Sequence, residues 1–332
     1  MYVFVKNSPM KKIVLVYAHD ATFVHRDIDL LSKHYEVVGV YTKESSRKKI
    51  KQEIKKADIV ISWFASKHTF SVFRYANRYN KPKIVIVGGF DASDMKGYGL
   101  LSSFFGRLLA RYLYRSADSI LPVNDSLRDT ICSYFPQFKH KINTIPTGYN
   151  ADYWTFNGKK KKIVLTVAAA NDVERVRLKG LDTFSEAAKS FQQYKFVIIG
   201  ASDEAKRYLE KKRTDNLTIL GFLSQSDLRE YYRKAKVFCL LSQREGLPNV
   251  LCEAMLCECV PVGSKVQGII SAMGDIGFYS KFSDVDSTVN AIEKALKSSE
   301  NMGKKARKRI VELFSEEKRE SALIQTIERF IK

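Results

Sequence analysis

Two carboxylates eight positions apart, Glu245 and Glu253, bracket the run Gly246-Leu247-Pro248-Asn249-Val250-Leu251. That run follows an apolar stretch at 237–241, so the order reads as strand, glycine turn, helix start. Pro248 suits a first helical turn, where its missing N–H costs nothing, and Gly246 lets backbone come close to a ligand. The first N–H groups of such a helix lack intrahelical acceptors and lie at the positive end of the peptide dipoles, so residues 249–251 are set to receive a diphosphate. Glu245 in the loop and Glu253 about one turn into the helix would flank that pocket. Carboxylates suit the vicinal hydroxyls of a ribose or sugar ring, because they accept paired hydrogen bonds. The plainer alternative is a surface loop entering an amphipathic helix, with Glu253 solvated. A second element, Arg175-Val176-Arg177-Leu178-Lys179-Gly180, follows another strand-like run and leads into another helix. Its cations would neutralise a diphosphate through charge-assisted bonds.

The elements that must position these residues alternate along the whole chain. Short β-branched runs at 13–17, 37–41, 59–63, 84–87 and 120–123 are separated by helix-length segments, and runs at 163–167, 196–199, 217–220, 237–241 and 260–262 repeat the scheme. Such alternation implies right-handed βαβ crossovers and parallel sheets. Two series imply an α/β chain of two Rossmann-like domains, residues 1–152 and 153–315, joined at the turn-rich stretch 146–154. Apolar spacing at Leu323, Ile324, Ile327 and Phe330 predicts a closing helix over 316–332 that packs back toward the first domain. Ligands of open parallel sheets bind beyond the carboxyl ends of the strands, so two facing sheets are expected to enclose a cleft. Met10-Lys11-Lys12 precedes the first strand-like run, which makes residues 1–9 an extension outside the fold.

In this setting Glu245-Gly246-Leu247-Pro248-Asn249, the Glu-x7-Glu pattern to Glu253, the following Ala254-Met255, Pro261-Val262, Leu220-Gly221-Phe222-Leu223 and Lys179-Gly180 resemble retaining glycosyltransferase family 4, of the GT-B fold. The resemblance covers roughly residues 160–280 and is weaker before them, where Trp63-Phe64-Ala65 and Gly88-Gly89-Phe90-Asp91 are similar to one branch of the family. It implies a nucleotide-sugar donor such as a UDP- or GDP-sugar, the nucleotide itself staying open; no cofactor or metal is expected. Glu253 would hold the ribose hydroxyls, and Glu245 with the backbone of residues 246–251 would contact the donor sugar and diphosphate. Lys179, aided by Arg175 or Arg177, would stabilise the leaving diphosphate, and the base would lie near Gly221, Phe222 and Leu223. The chain departs from the family pattern at Cys257-Glu258, where a small second residue is usual, and at Gln267-Gly268, where a double glycine is usual.

The remaining signals bound the partners. A formal net charge of +20 in 332 residues points to phosphate in some form, whether nucleic acid, anionic lipid or a phosphorylated ligand. No nucleic-acid recognition motif accompanies it, so nucleic acid is not expected. The lysine-rich stretch 43–56 reads as a solvated helix face. Five cysteines, three of them at Cys252, Cys257 and Cys259, show no framework or CxxC spacing and read as buried thiols of a cytoplasmic protein. Asp27 with Asp29 and Asp284 with Asp286 form Asp-x-Asp triplets, which fit helix caps better than a metal site. His19, His68 and Asp91 follow strands of the first half and are acceptor-side candidates. Residues 100–115 place Leu101, Phe104, Phe105, Leu108, Leu109 and Tyr112 beside Arg107, Arg111 and Arg115. That pattern suits either a helix lying on an anionic membrane, consistent with a lipid-linked or glycan acceptor in surface polysaccharide or glycolipid synthesis, or a buried helix with a solvated arginine edge. A nucleotide-sugar epimerase or phosphorylase on the same architecture, a basic nucleic-acid-binding protein and a catalytically silent partner subunit are the competing readings.

Overall fold

A computed structural model describes residues 10–95, 98–212 and 214–331. The extension expected at 1–9 lies outside the described residues. The chain divides into two compact units, Met1–Thr147 with Glu316–Lys332, and Gly148–Ser315.

The first unit runs β1 (Lys12–Tyr17), α1 (Thr22–Ser32), β2 (Glu36–Tyr41), α2 (Arg47–Lys56), β3 (Ile59–Trp63), α3 (Lys67–Arg78), β4 (Lys83–Val87), α4 (Phe104–Ser116), β5 (Ser119–Pro122) and α5 (Asp125–Tyr134). Its strands form one parallel sheet in the order β2-β1-β3-β4-β5. β3, β4 and β5 are buried along their whole length, while β2 at the edge is partly exposed. Helices on both faces of a parallel sheet require that pattern, and it explains why the inner strands are continuous apolar runs without polar alternation. The segment expected as one helix over 100–115 is a 3-10 turn at Leu100–Ser102 followed by α4, with Ser103 capping the N–H of Gly106. Gly106 permits the break, because a Cβ there would meet the Leu100 carbonyl oxygen at 1.8 Å.

The second unit runs β6 (Lys161–Ala170), α6 (Val173–Leu178), α7 (Leu181–Ala188), β7 (Lys195–Ala201), α8 (Asp203–Glu210), β8 (Leu217–Leu220), α9 (Gln225–Lys234), β9 (Ala235–Leu240), α10 (Asn249–Leu256), β10 (Val260–Ser264), α11 (Gln267–Met273), β11 (Phe278–Ser280), α12 (Val285–Lys297) and α13 (Glu300–Leu313). Its parallel sheet has the order β11-β10-β9-β6-β7-β8. The core gathers Val164, Phe184, Phe196, Ile198, Val237 and Val262 between sheet and helices. β11, three residues at the edge, carries too little periodicity to be seen in the sequence.

The last helix, α14 (Glu316–Glu328), belongs to the first unit and packs on α1. Its Arg319 is 2% exposed and Asp27 1%. The guanidinium donates to both Asp27 carboxylate oxygens, at 2.5 and 2.6 Å, and to the carbonyls of Ile145 and Pro146. Trp63 Nε1 donates to Asp27 as well, at 2.9 Å. Asp27 is therefore not a helix cap: it sits inside α1 on the buried face, where only a fully hydrogen-bonded ion pair keeps a carboxylate in an apolar interior. Asp284 does cap α12, accepting from the N–H of Ser287. Cys239, Cys252, Cys257 and Cys259 are buried free thiols. Burial pushes Cys257 up to about 12, so it stays protonated and inert.

Candidate functional site

Numbered within the second unit alone, the strand order is the doubly wound 3-2-1-4-5-6 pattern, and the order reverses between β6 and β9. Loops leaving the carboxyl ends of those two strands flank the crevice where such sheets bind ligands. The loop after β6 carries α6 and Lys179; the loop after β9 carries Glu245 and leads into α10. Lys179 Nζ donates to Glu245 Oε1 at 2.7 Å, with the two side chains 23% and 15% exposed. The sequence assigned them separate contacts, and the structure places them hand to hand.

Backbone fit explains this closeness. Lys179 ends α6, and Gly180 takes a left-handed φ of 64° to start α7. A Cβ on Gly180 would meet the Leu241 carbonyl oxygen at 2.4 Å, so glycine is what lets this turn lie against the end of β9. The N–H of Gln243 donates to the Leu178 carbonyl at 2.9 Å, and Ser264 Oγ donates to the Ser242 carbonyl. Gly268 has the same function from the other side: a Cβ there would meet the Gly246 and Glu245 carbonyl oxygens at 1.9 and 2.4 Å. Sequence reasoning left Gly268 out of the site; its signal was the glycine kept where the family pattern has a pair. Tyr149, also unforeseen, donates its hydroxyl to Asn249 Oδ1 at 2.9 Å.

Pro248 is the N-cap of α10, with φ −77° and ψ 110°, so the helix begins at Asn249, one residue later than the sequence suggests. Leu251 and Cys252 donate to the Pro248 carbonyl. The N–H groups of Asn249 and Val250 have no acceptor among the described residues. They leave the start of α10 open at the positive end of the helix dipole, a geometry that suits an anion. Leu247 is buried, and Gly246, Asn249 and Val250 are half-buried. Glu253 is 4% exposed inside a helix buried from Leu251 to Leu256, which excludes the solvated-helix alternative.

Arg175 and Arg177 separate. Arg175 lies one turn before Lys179 and shares its side of α6, whereas Arg177 is turned onto α8, its guanidinium 6.0 Å from the Tyr208 ring centre. Both are exposed. Gly221, Phe222 and Leu223 follow β8 at the same carboxyl edge; the Gly221 carbonyl accepts from Gly200, and Phe222 is 63% exposed.

In the first unit the order reverses between β1 and β3. His19 after β1 and Phe64 after β3 meet there edge to face at 5.9 Å, and Phe23 lies 6.0 Å from Phe64. Phe64 holds a positive φ of 68°, a strained state for an aromatic residue. Of the three acceptor-side candidates only His19 is exposed. Asp91 is fully buried, with its oxygens accepting from the N–H groups of Ala65, Gly88 and Gly89. Burial raises its pKa to about 6 despite those bonds. His68 Nε2 donates to the Trp63 carbonyl, and Nδ1 pairs with Ser66 Oγ; desolvation lowers its pKa to about 4, which keeps it neutral. Asp91 thus ties the β4 loop to the β3 loop, and His68 holds the β3 loop onto the start of α3. Among the described residues no three His, Cys, Asp or Glu side chains are grouped to hold a metal ion.

Residues 155–309, nearly all of the second unit, match the family model described as glycosyl transferases group 1. The likeness to that family lies within the second unit. The chain is 28% identical over 169 residues, 48% of its length, to an N-acetyl-alpha-D-glucosaminyl L-malate synthase of Bacillus anthracis. It is 24% identical over 196 residues, 58% of its length, to an uncharacterized glycosyltransferase of Methanocaldococcus jannaschii. The matches span 43% and 52% of those relatives, so the chain covers about half the length of each. Among solved structures it is similar to Anabaena HepE, crystallised with UDP and glucose, at a TM-score of 0.78 and 14% identity over 96% of this chain and all of that one. That likeness establishes the fold: two Rossmann-like α/β units of GT-B type.

Proposed function

We propose that the chain is a retaining glycosyltransferase of family 4 type, moving a sugar from a nucleotide-diphosphate sugar to a glycan or lipid-linked acceptor. The observation that carries this reading is the 2.7 Å contact of Lys179 with Glu245 at the strand-order reversal, beside the open N–H groups that start α10. In the reaction, the bond from the sugar's anomeric carbon to the diphosphate oxygen breaks as the acceptor oxygen bonds to that carbon on the same face. The departing phosphate oxygen takes the acceptor proton. Lys179 and Arg175 supply positive charge where negative charge builds, so the site works without a metal. Glu245 and the backbone of residues 246–251 hold the donor sugar and diphosphate. Glu253 accepts from the ribose hydroxyls, and the base rests by Gly221, Phe222 and Leu223. UDP in the HepE crystals and the group 1 model support the donor class. The setting is the cytoplasmic membrane face, in polysaccharide or glycolipid synthesis; no described helix is long and apolar enough to cross a membrane.

A thermal-shift panel of nucleoside diphosphates and nucleotide sugars tests the reading. A ligand at a hundred times its Kd stabilises the fold by about 2.7 kcal/mol. One nucleotide series should raise Tm in EDTA, and Glu253→Ala should abolish the shift while the apo Tm holds. A flat panel would sink the proposal; sugar processing without any acceptor would hand the site to an epimerase.

A further inference from the structure

The face of the first unit formed by α2, α3 and α4 carries charge that no carboxylate answers. The helices lie side by side, α3 between the other two. α2 holds six Lys and Arg residues, and α3 and α4 hold three each. The one carboxylate on the three helices, Glu53, is taken by Lys12 at 3.1 Å. A groove of about 730 Å³ opens on this face, lined by Arg47, Arg74, Arg78, Tyr75 and Tyr112. Among the described residues none of its arginines has a carboxylate within 4 Å. Beside the groove, α4 buries Gly106, Ala110, Leu113 and Tyr114 and turns the opposite side outward. Phe104, Phe105 and Leu108 are 63, 81 and 48% exposed there, ahead of the exposed Arg111 and Arg115. Large apolar side chains in water next to unpaired cations match the two layers of an anionic bilayer: hydrocarbon for the rings, phosphates for the arginines.

We propose that this face docks on an anionic bilayer, with Phe104, Phe105 and Leu108 entering the acyl boundary and the Arg47, Arg74 and Arg78 groove taking a phosphate headgroup. The inference rests on the membrane-face part of the reading above and is independent of the donor site. The hydroxyls of Tyr75 and Tyr112 add donors to the groove, and planar guanidinium groups pair with phosphate through two bonds each. α4 starts at the carboxyl edge of the sheet, the edge that also bears His19.

Vesicle sedimentation of the full chain tests this. The chain should sediment with phosphatidylcholine vesicles containing phosphatidylglycerol and stay in solution with phosphatidylcholine alone. Each arginine near an anionic surface is worth about fivefold, so Arg47→Gln/Arg74→Gln/Arg78→Gln should weaken partition on the order of a hundredfold. Lys304→Gln/Lys305→Gln/Lys308→Gln, the same charge loss on exposed positions of α13, should cost far less. Phe104→Ser/Phe105→Ser/Leu108→Ser should also release the chain, and all variants should keep their nucleotide thermal shift. Equal loss in the two charge triples, or wild-type binding blind to phosphatidylglycerol, overturns the groove. A nucleotide shift without vesicle binding overturns this inference and leaves the donor reading standing.

Discussion

The two units solve the same architectural problem and finish it with opposite chemistry. Each is a parallel sheet with helices on both faces and one reversal of strand order, and each puts loops of two strands at that reversal. In the second unit the loops end in Lys179, Glu245 and an open helix tip. In the first they end in His19, Phe23 and Phe64, and the nearby ionisable groups Asp91 and His68 are consumed in holding the loops. Topology therefore supplies the place, while a handful of loop residues decide whether it is lined by a charged pair or by aromatic rings.

The contrast is sharpest at the proposed diphosphate site. Lys179→Ala should lower turnover by about a hundred- to a thousandfold, the loss seen when one preorganised donor to a developing anion is removed. His19→Ala should lower it less than tenfold; steady-state kinetics with the same donor compares them, and a reversed ranking would break the comparison. The units also differ in continuity, since the first needs α14 from the far end of the chain. Arg319→Ala strands Asp27 without its partner and should cost about 3–5 kcal/mol in a urea titration. No comparable loss is expected from Arg175→Ala, whose side chain is exposed.

A smaller effect probes loop packing. Gly268→Ala forces a methyl against the Gly246 carbonyl and should cost about 1–3 kcal/mol, with a weakened nucleotide shift, because the Glu245–Gly246 loop must move. An unchanged shift would mean that the loop tolerates displacement. The smallest effect is one of pH. His68, lowered to about 4, contributes stability that is present above its ordinary value of 6.5 and is lost as pH falls toward 4. Asp91, raised to about 6, contributes stability that is present below its ordinary 3.8 and is lost as pH rises to 6. The two slopes oppose each other across the same window, so wild-type stability should be nearly level there. In His68→Asn the imidazole slope is gone, and the urea midpoint should fall relative to wild type from pH 4 to 6; a midpoint that rises relative to wild type would refute the assignment.

Alternating strands and helices, the helix start after Pro248 and the glycine turn at Gly246 were legible in the chain because they are local: strand runs, caps and helix starts depend on neighbours a few residues away. Asp27 was misread for the same reason. Its i+2 spacing to Asp29 is visible locally, whereas its partner Arg319 stands 292 residues later, at the other end of the chain. The split of the 100–115 segment, with Phe104, Phe105 and Leu108 outward, depends on which face of α4 meets the sheet, and a row of apolar residues on all sides does not choose a face.

Residue types and spacing alone decided that the chain folds as two βαβ series and that a helix with an open N-terminus follows the run at 237–241. Only the tertiary structure decided that Lys179 lies 2.7 Å from Glu245, that Gly268 braces the Glu245–Gly246 loop, that Arg177 turns onto Tyr208, and that Asp91 and His68 are spent as loop staples. The reason is physical. Backbone preference acts over one turn or one strand, but a site at a reversal of strand order is made by loops distant in sequence, and their meeting is set by how the sheet orders its strands.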